Sequence, residues 1–486
     1  MRIGLLLTLI SLGCGDGGNV SEIPDNAQNL QEAARLRSQG SIFLQQGRPA
    51  RALEALAQAV RLDSSASPAH FNKGLAHVRL QDHPAAIASF ERAIAIEPKN
   101  PRFLFALAAA LRSQHRYLEA GTFFEQAIAQ QPDHAEYHFN LGEVRRATSD
   151  FAGAREAFSR TLELAPGHLE ARYYHSDLLA RDQELAAARI GFTSLLEQSP
   201  QHFQGLLGLG SLLIKLGEAQ QAAAILERAI AAKPHDPGPH YLLAQAYEQA
   251  DQPQEAAKVR ERFQRLGAAE RHLNQGTIYL RRRKWAKATA ELERALQNDS
   301  TSVTARLRLA QVHWQQQRPD KSIALLEQAI DLEPEHLETR LALGEQQLRT
   351  GALATSIAHF AHALKLAPDS FTAAYGLGKA RWQHGDLTGA VDALRQSLAL
   401  DPDYRDAHYA LGLVYVRLER FDDARISFTH SATIDSTHAE SHYGLALLHM
   451  QQGQKNLARQ GLEKVLALQP EHQRARAKLT VLGSQL

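Results

Sequence analysis

Apolar residues recur at steps of three and four along almost the whole chain, a spacing that lines one face of an α-helix. The pattern restarts every 34 residues. Pro98, Pro132, Pro166, Pro200 and Pro234 mark one ladder at that step. Pro334, Pro368, Pro402 and Pro470 mark a second, with Ser300 and Ser436 at the places that lack proline. Between these breaks a small residue returns in register: Gly40, Gly74, Ala108, Gly142, Ser176, Gly210, Ala244, then Gly276, Ala310, Gly344, Gly378, Gly412 and Ala446. Twelve residues after each comes a second small residue, from Ala52 and Ala86 through to Ala458, and four further on a bulky one, as in Phe90, Phe124, Phe158, Phe192, Leu226, Phe360 and Phe428. This predicts thirteen helix pairs, because internal periods of this length belong to repeat architectures.

Each recurring position has a physical role. A glycine or alanine in the stripe lets two helices approach to roughly 8–10 Å. Proline past the second helix prevents its continuation, since it has no amide hydrogen to donate. One pair cannot bury its own stripe, but a stack of neighbours can. The seventh register, 237–268, departs from the rule: it is 32 residues long, with Arg260 at the bulky position and Ala268 in place of proline. Gly267 is the only breaker before the next helix, which predicts a tight or bent joint near 263–270. The tail 473–486, with Ala475, Leu479 and Leu482, is expected to cap the last stripe.

The pattern resembles the tetratricopeptide repeat family over residues 33–472. Phe71, Asn72, Gly74, Ala86, Phe90, Ala93 and Pro98 sit where that family expects them. The resemblance implies an all-α fold, a right-handed α-solenoid of about thirteen helix-turn-helix repeats with a C-terminal capping helix. The expected organisation is repeats 1–7 over 33–268, repeats 8–13 over 269–472, and the cap beyond. It also implies a non-enzymatic scaffold that binds peptide segments or helices of other proteins along the first helix of each repeat. Carried over by register, one such row runs Phe71, Phe105, Phe139, Tyr173, Leu207 and Tyr241, then Leu273, Leu307 and Leu341, then Tyr375, Tyr409 and Tyr443. A second row contains Arg112 and Arg146 early and Trp314 and Trp382 late, and the patch around Trp314, Trp382, Gln315, Gln346 and Arg349 is the leading candidate for contact with a ligand. Aromatic and arginine side chains are favoured anchors in such surfaces.

Charge narrows the partners. Lys and Arg total 54 against 53 Asp and Glu, so no net field draws nucleic acid or an anionic surface. Cys14 is the sole cysteine. The first thirteen residues have Arg2 followed by an apolar run from Ile3 to Leu12, the layout of a short secretory signal. Ser11-Leu12-Gly13-Cys14 is similar to a bacterial lipobox, which implies lipidation at Cys14, a flexible tether over 14–32, and a place in the cell envelope. Gly15 after the cysteine, in place of aspartate, favours the periplasmic side of the outer membrane by the same resemblance. Alternatives are a polysaccharide-binding solenoid of an export system and a cytoplasmic regulatory or chaperone-like module.

No motif here carries catalysis or a cofactor. His134, His168, His202, His336, His438 and His472 recur two residues after the turn proline or its serine substitute, one repeat apart, too far to share a metal with ~2.1 Å bonds; they read as exposed turn residues. His134 with His138, and His438 with His442, have chelating spacing but no third ligand. Gly376-Leu377-Gly378-Lys379 lacks the earlier glycine and the hydroxyl residue of a phosphate loop. The run Arg281–Lys284 fits the carboxyl end of a helix, where cations favour the macrodipole.

Overall fold

The computed structural model describes residues 25–483. The expected leader 1–13, Cys14 and the first part of the tether lie outside the described residues. Among these residues there are 26 helices and no strand, the architecture of an α-solenoid. The first helix, Asp25–Gln45, starts eight residues before the expected first repeat, so the tether expected over 14–32 is helical from Asp25 on. The reason is local: between Pro24 and Gly40 the chain has no glycine or proline and is rich in Ala, Leu, Gln and Arg. Ala33 and Leu36 then anchor this helix as buried residues.

Contacts divide the chain into two units, between Ala171 and Arg172. In the first, Phe90, Phe124 and Phe158 are fully buried, each projecting from the second helix of its pair. Their rings lie over the small position of the first helix. A Cβ placed on Gly142 would stand 2.6 Å from the Phe158 ring, so glycine there is a condition of the close approach. Pro98 follows helix His83–Ile96 by two residues, in the turn that leads to helix Pro101–Ser113.

The second unit repeats the scheme with Phe192, Leu226, Leu292, Leu326, Phe360, Leu394, Phe428 and Leu462, all buried. Gly376 and Gly378, the apparent phosphate-loop pair, face Phe360 and Leu394. The final helix, Gln473–Gly483, packs Ala475, Leu479 and Leu482 against the cluster of Leu462 and Val465. Among the described residues no helix is long and apolar enough to cross a membrane.

Two features of the turns were not anticipated. Within every pair the connection passes through one left-handed residue in register: Gly47, Gly217, Gly351, Gly385 and Gly453, and eight residues that are not glycine, Gln81, His115, Ser149, Gln183, Asp251, Arg283, Gln317 and Glu419. That conformation ends the first helix and aims the second back along it.

The second feature corrects the expected joint. Gly267 breaks nothing: a single helix runs from Pro253 to Arg281, through the expected boundary at 268/269. It joins the second helix of repeat 7 to the first of repeat 8. Beyond Pro253 the shortened register has no proline, and Gly267, the glycine at its end, sits in ordinary helical φ, where it weakens a helix by only about 0.5–1 kcal/mol.

Candidate partner-binding face

The aromatic row lies on the first helices, half-buried, each ring wedged between its own repeat and the next. In the first unit Phe105 packs on Phe124 at 5.6 Å and stacks on Tyr137 at 4.9 Å. Phe71 stacks on Phe103 at 4.8 Å and is only 8% exposed, while Arg102 lies over its ring. Phe139 meets Phe158 at 5.8 Å and His168 at 4.4 Å. Phe71, Phe105, Tyr137 and Arg102 share a mainly apolar cleft of about 400 Å³ with Leu75 and Ala109. Tyr137 was not singled out from the sequence; it belongs to the same structure because the ring at the row position reaches 32 residues ahead.

In the second unit the row continues with Tyr173 against Phe192 and His202, Tyr375 against Tyr404, Tyr409 against Phe428 and His438, and Tyr443 against His472. Burial pushes the phenols of Tyr375, Tyr409 and Tyr443 up from their ordinary range, so they stay neutral. Tyr241 is the open member, 49% exposed, with Phe263 beside it and Gln245 donating to its hydroxyl. Leu307 is fully buried and offers no contact surface.

The second row is more polar. The Arg112 guanidinium pairs with Glu143 in the next repeat. Arg146 is exposed. Trp314 and Trp382 are half-buried and two repeats apart, and Trp382 packs on the cluster of Leu394, Leu411 and Tyr415. Between them Arg349 pairs with Glu345 at 2.8 Å. Gln346 and Gln347 are buried to 6% exposure, each with a side-chain carbonyl that finds no hydrogen-bond donor.

The histidine ladder needs correction. His168, His202, His336, His438 and His472 are half-buried; of the six only His134 is exposed. His202 Nδ1 accepts the amide of Gly205 at 3.0 Å, and His472 Nδ1 that of Ala475 at 3.0 Å, satisfying an otherwise unpaired donor at the helix start. His168 and His336 cap their helices in the same way. These side chains are caps and ring partners together, which is why they lie against the helices. The apparent chelating pairs dissolve similarly, because the second histidine is turned to a carbonyl six residues back: His138 to Pro132 at 2.7 Å and His442 to Ser436 at 3.0 Å. Arg340 and Arg476 donate to Pro334 and Pro470 at the same register position.

Comparison with known proteins accords with this geometry. Tetratricopeptide repeat models match residues 37–101, 139–203, 273–335, 307–371 and 375–439, others match 77–141, 179–245 and 213–262, and a third matches 439–472. No curated protein matches the sequence. Among solved structures, the Cut9–Hcn1 hetero-tetramer of APC/C is similar over 94% of this chain and 98% of its own, at 16% identity and a TM-score of 0.40. Yeast Tom70 is similar over 87% and 96%, at 15% identity and 0.36. The pilF protein of Pseudomonas aeruginosa is similar over 45% of this chain and 99% of its own, at 22% identity and 0.40. Likeness at this level carries no argument. The matched repeats cover well over half of the residues, and the chain belongs to the tetratricopeptide repeat family.

Proposed function

We propose that this protein is a non-enzymatic adaptor that holds segments of other proteins against the first helices of its repeats. The observation that supports this most is the row of half-buried rings, from Phe105 to Tyr443, which repeats with the array and includes one open member, Tyr241. Rings already fixed by packing lose little entropy when a partner covers their free edge, so they suit peptide capture. The sequence adds a location to the proposal: an acylated Cys14 would tether the array to the cell envelope, with the periplasmic side of the outer membrane favoured.

The test is photo-crosslinking in cells from positions 105, 241 and 382, with partners identified by mass spectrometry. Enrichment of the same envelope proteins at two of these positions, lost in Phe105→Ala and Trp382→Ala, is the expected result. Crosslinks confined to glycan would favour the polysaccharide reading instead. Cytoplasmic partners, with no palmitate incorporated at Cys14, would remove the envelope from the proposal.

A further inference from the structure

In the regular part of the array the turns between repeats are neighbours, one register apart. Arg405, the first helical residue after one turn, pairs with Asp435 in the next at 2.8 Å, and Ser67, placed alike, donates to Glu97. At the fused helix Pro253–Arg281 one turn is missing. The turn at 233–237 then faces the turn at 299–303 across the place where the absent one would stand. His235 Nδ1 bridges that gap to Asp299 Oδ2 at 2.6 Å, although 64 residues separate them. A cleft of about 450 Å³ remains beside this bridge.

Its walls have two characters. Leu266, Ala269, Leu273, Ala295 and Val303, with Pro234 and Pro237, supply an apolar lining. Four carboxylates, Asp236, Glu270, Asp299 and Glu333, stand against Lys233 and His235, so the lining is net negative even with the imidazole protonated. Most of these charges are committed. Asp299 accepts from His235, Arg262 and Thr301. Asp236 accepts the amide of Gly238, and the Lys233 ammonium sits 4.2 Å over the Phe203 ring. Glu270 and Glu333 make no ion pair or hydrogen bond through their carboxylates among the described residues.

We propose that the cleft left by the missing turn is a second recognition site, which takes the basic side chain of a partner protein, its aliphatic stem along Leu266, Leu273 and Val303 and its charge between Glu270 and Glu333. An arginine or lysine has this build, an apolar stem with a cation at the tip, and a charge-assisted bond to carboxylate is the strong form of such a contact. Of the row on the first helices the site uses only Leu273, and none of the rings. It shares with the adaptor proposal only the premise that the occupant belongs to another protein.

The probe is Nα-acetyl-arginine methylamide, titrated into the full chain and followed by saturation-transfer NMR, with the uncharged citrulline analogue as control. Saturable binding of the arginine probe is expected, weaker by about tenfold or more for citrulline and for Glu270→Gln with Glu333→Gln. Both glutamates are exposed, so the double variant should keep the parent's thermal midpoint, and Phe105→Ala should leave probe binding unchanged. Equal binding of the two probes, or an affinity that the double variant leaves intact, overturns the proposal. Neither result bears on crosslinking from the aromatic row, so the two readings fail separately.

Discussion

Gly142 lies directly beneath the ring of Phe158: a Cβ on the glycine would come within 2.6 Å of Cε1 and 2.8 Å of Cδ1. The same pairing, sixteen residues apart, recurs as Gly210 with Leu226 and Gly412 with Phe428. Where alanine stands instead, as at Ala108 over Phe124, both partners are still fully buried.

Gly142→Ala should therefore cost about 1–3 kcal/mol, the range for forcing a methyl group into a packed core. Ala108→Gly should cost about 1–2 kcal/mol, the backbone penalty of glycine in a helix together with the lost burial of one methyl. Urea unfolding of the two variants checks the contrast; a Gly142→Ala protein as stable as the parent would mean that the ring has room to move.

That relationship also shows what could be read without coordinates. Glycine or alanine in register with a phenylalanine was visible as a periodic pair, since packing a close helix crossing constrains residue type at both positions. The left-handed turn was not, because Gln81, His115, Ser149 and Glu419 occupy it as readily as glycine does, and backbone conformation leaves no trace when residue type varies. The fused helix was misread for a related reason. Gly267 looks like a breaker, but a glycine alone does not stop a helix whose flanks, Arg265-Leu266 and Ala268-Ala269-Glu270, all favour one. The second recognition site was invisible for its dependence on that fusion: His235 and Asp299 are neighbours only because a turn is absent.

The eight left-handed positions without glycine store strain that can be relieved. A non-glycine residue there costs roughly 1–2 kcal/mol, of which glycine's greater freedom in the unfolded chain returns a part. Gln183→Gly and Glu419→Gly should each stabilise by about 0.5–1 kcal/mol, while Gly351→Ala and Gly385→Ala should destabilise by about 1 kcal/mol. Thermal midpoints that move in the same direction for both sets would contradict the turn geometry.

Gly267 gives the opposite case. It is helical, and an added Cβ would meet nothing closer than Arg271 Nη1 at 3.6 Å. Gly267→Ala should stabilise the protein by about 0.5–1 kcal/mol and slow amide exchange through 263–271. Gly267→Pro should remove a hydrogen bond and kink the helix, at a cost of about 3 kcal/mol. An alanine variant with faster exchange there would argue for a flexible joint.

The His235–Asp299 bridge should make stability depend on pH, and the sign follows from the shifts. The hydrogen bond to Asp299 raises the His235 imidazole above its usual value, more than burial lowers it. Burial by itself would raise the Asp299 carboxyl; the hydrogen bond and charge of His235, with Thr301 and Arg262, outweigh that and hold it well below the carboxylate range. The fold thus prefers a charged histidine. Its contribution is complete below the unfolded value of about 6.5 and is lost as pH rises through the higher folded value. Glu333 adds to this preference and Arg262 opposes it. His240, His313 and His359 behave inversely, since burial lowers their pKa and they lose stability as pH falls below about 6.5. Acidification from pH 8 to 5 should therefore weaken the protein as a whole while strengthening this one bridge. The gap between the parent and His235→Gln should be widest at pH 5–6, at up to about 1 kcal/mol given that His235 is partly exposed, and should narrow as pH rises through the raised folded value. Hydrogen exchange of the amides at 295–306 reads it locally. A gap that widens with rising pH would show that the imidazole is bound neutral and that the bridge is not an ion pair.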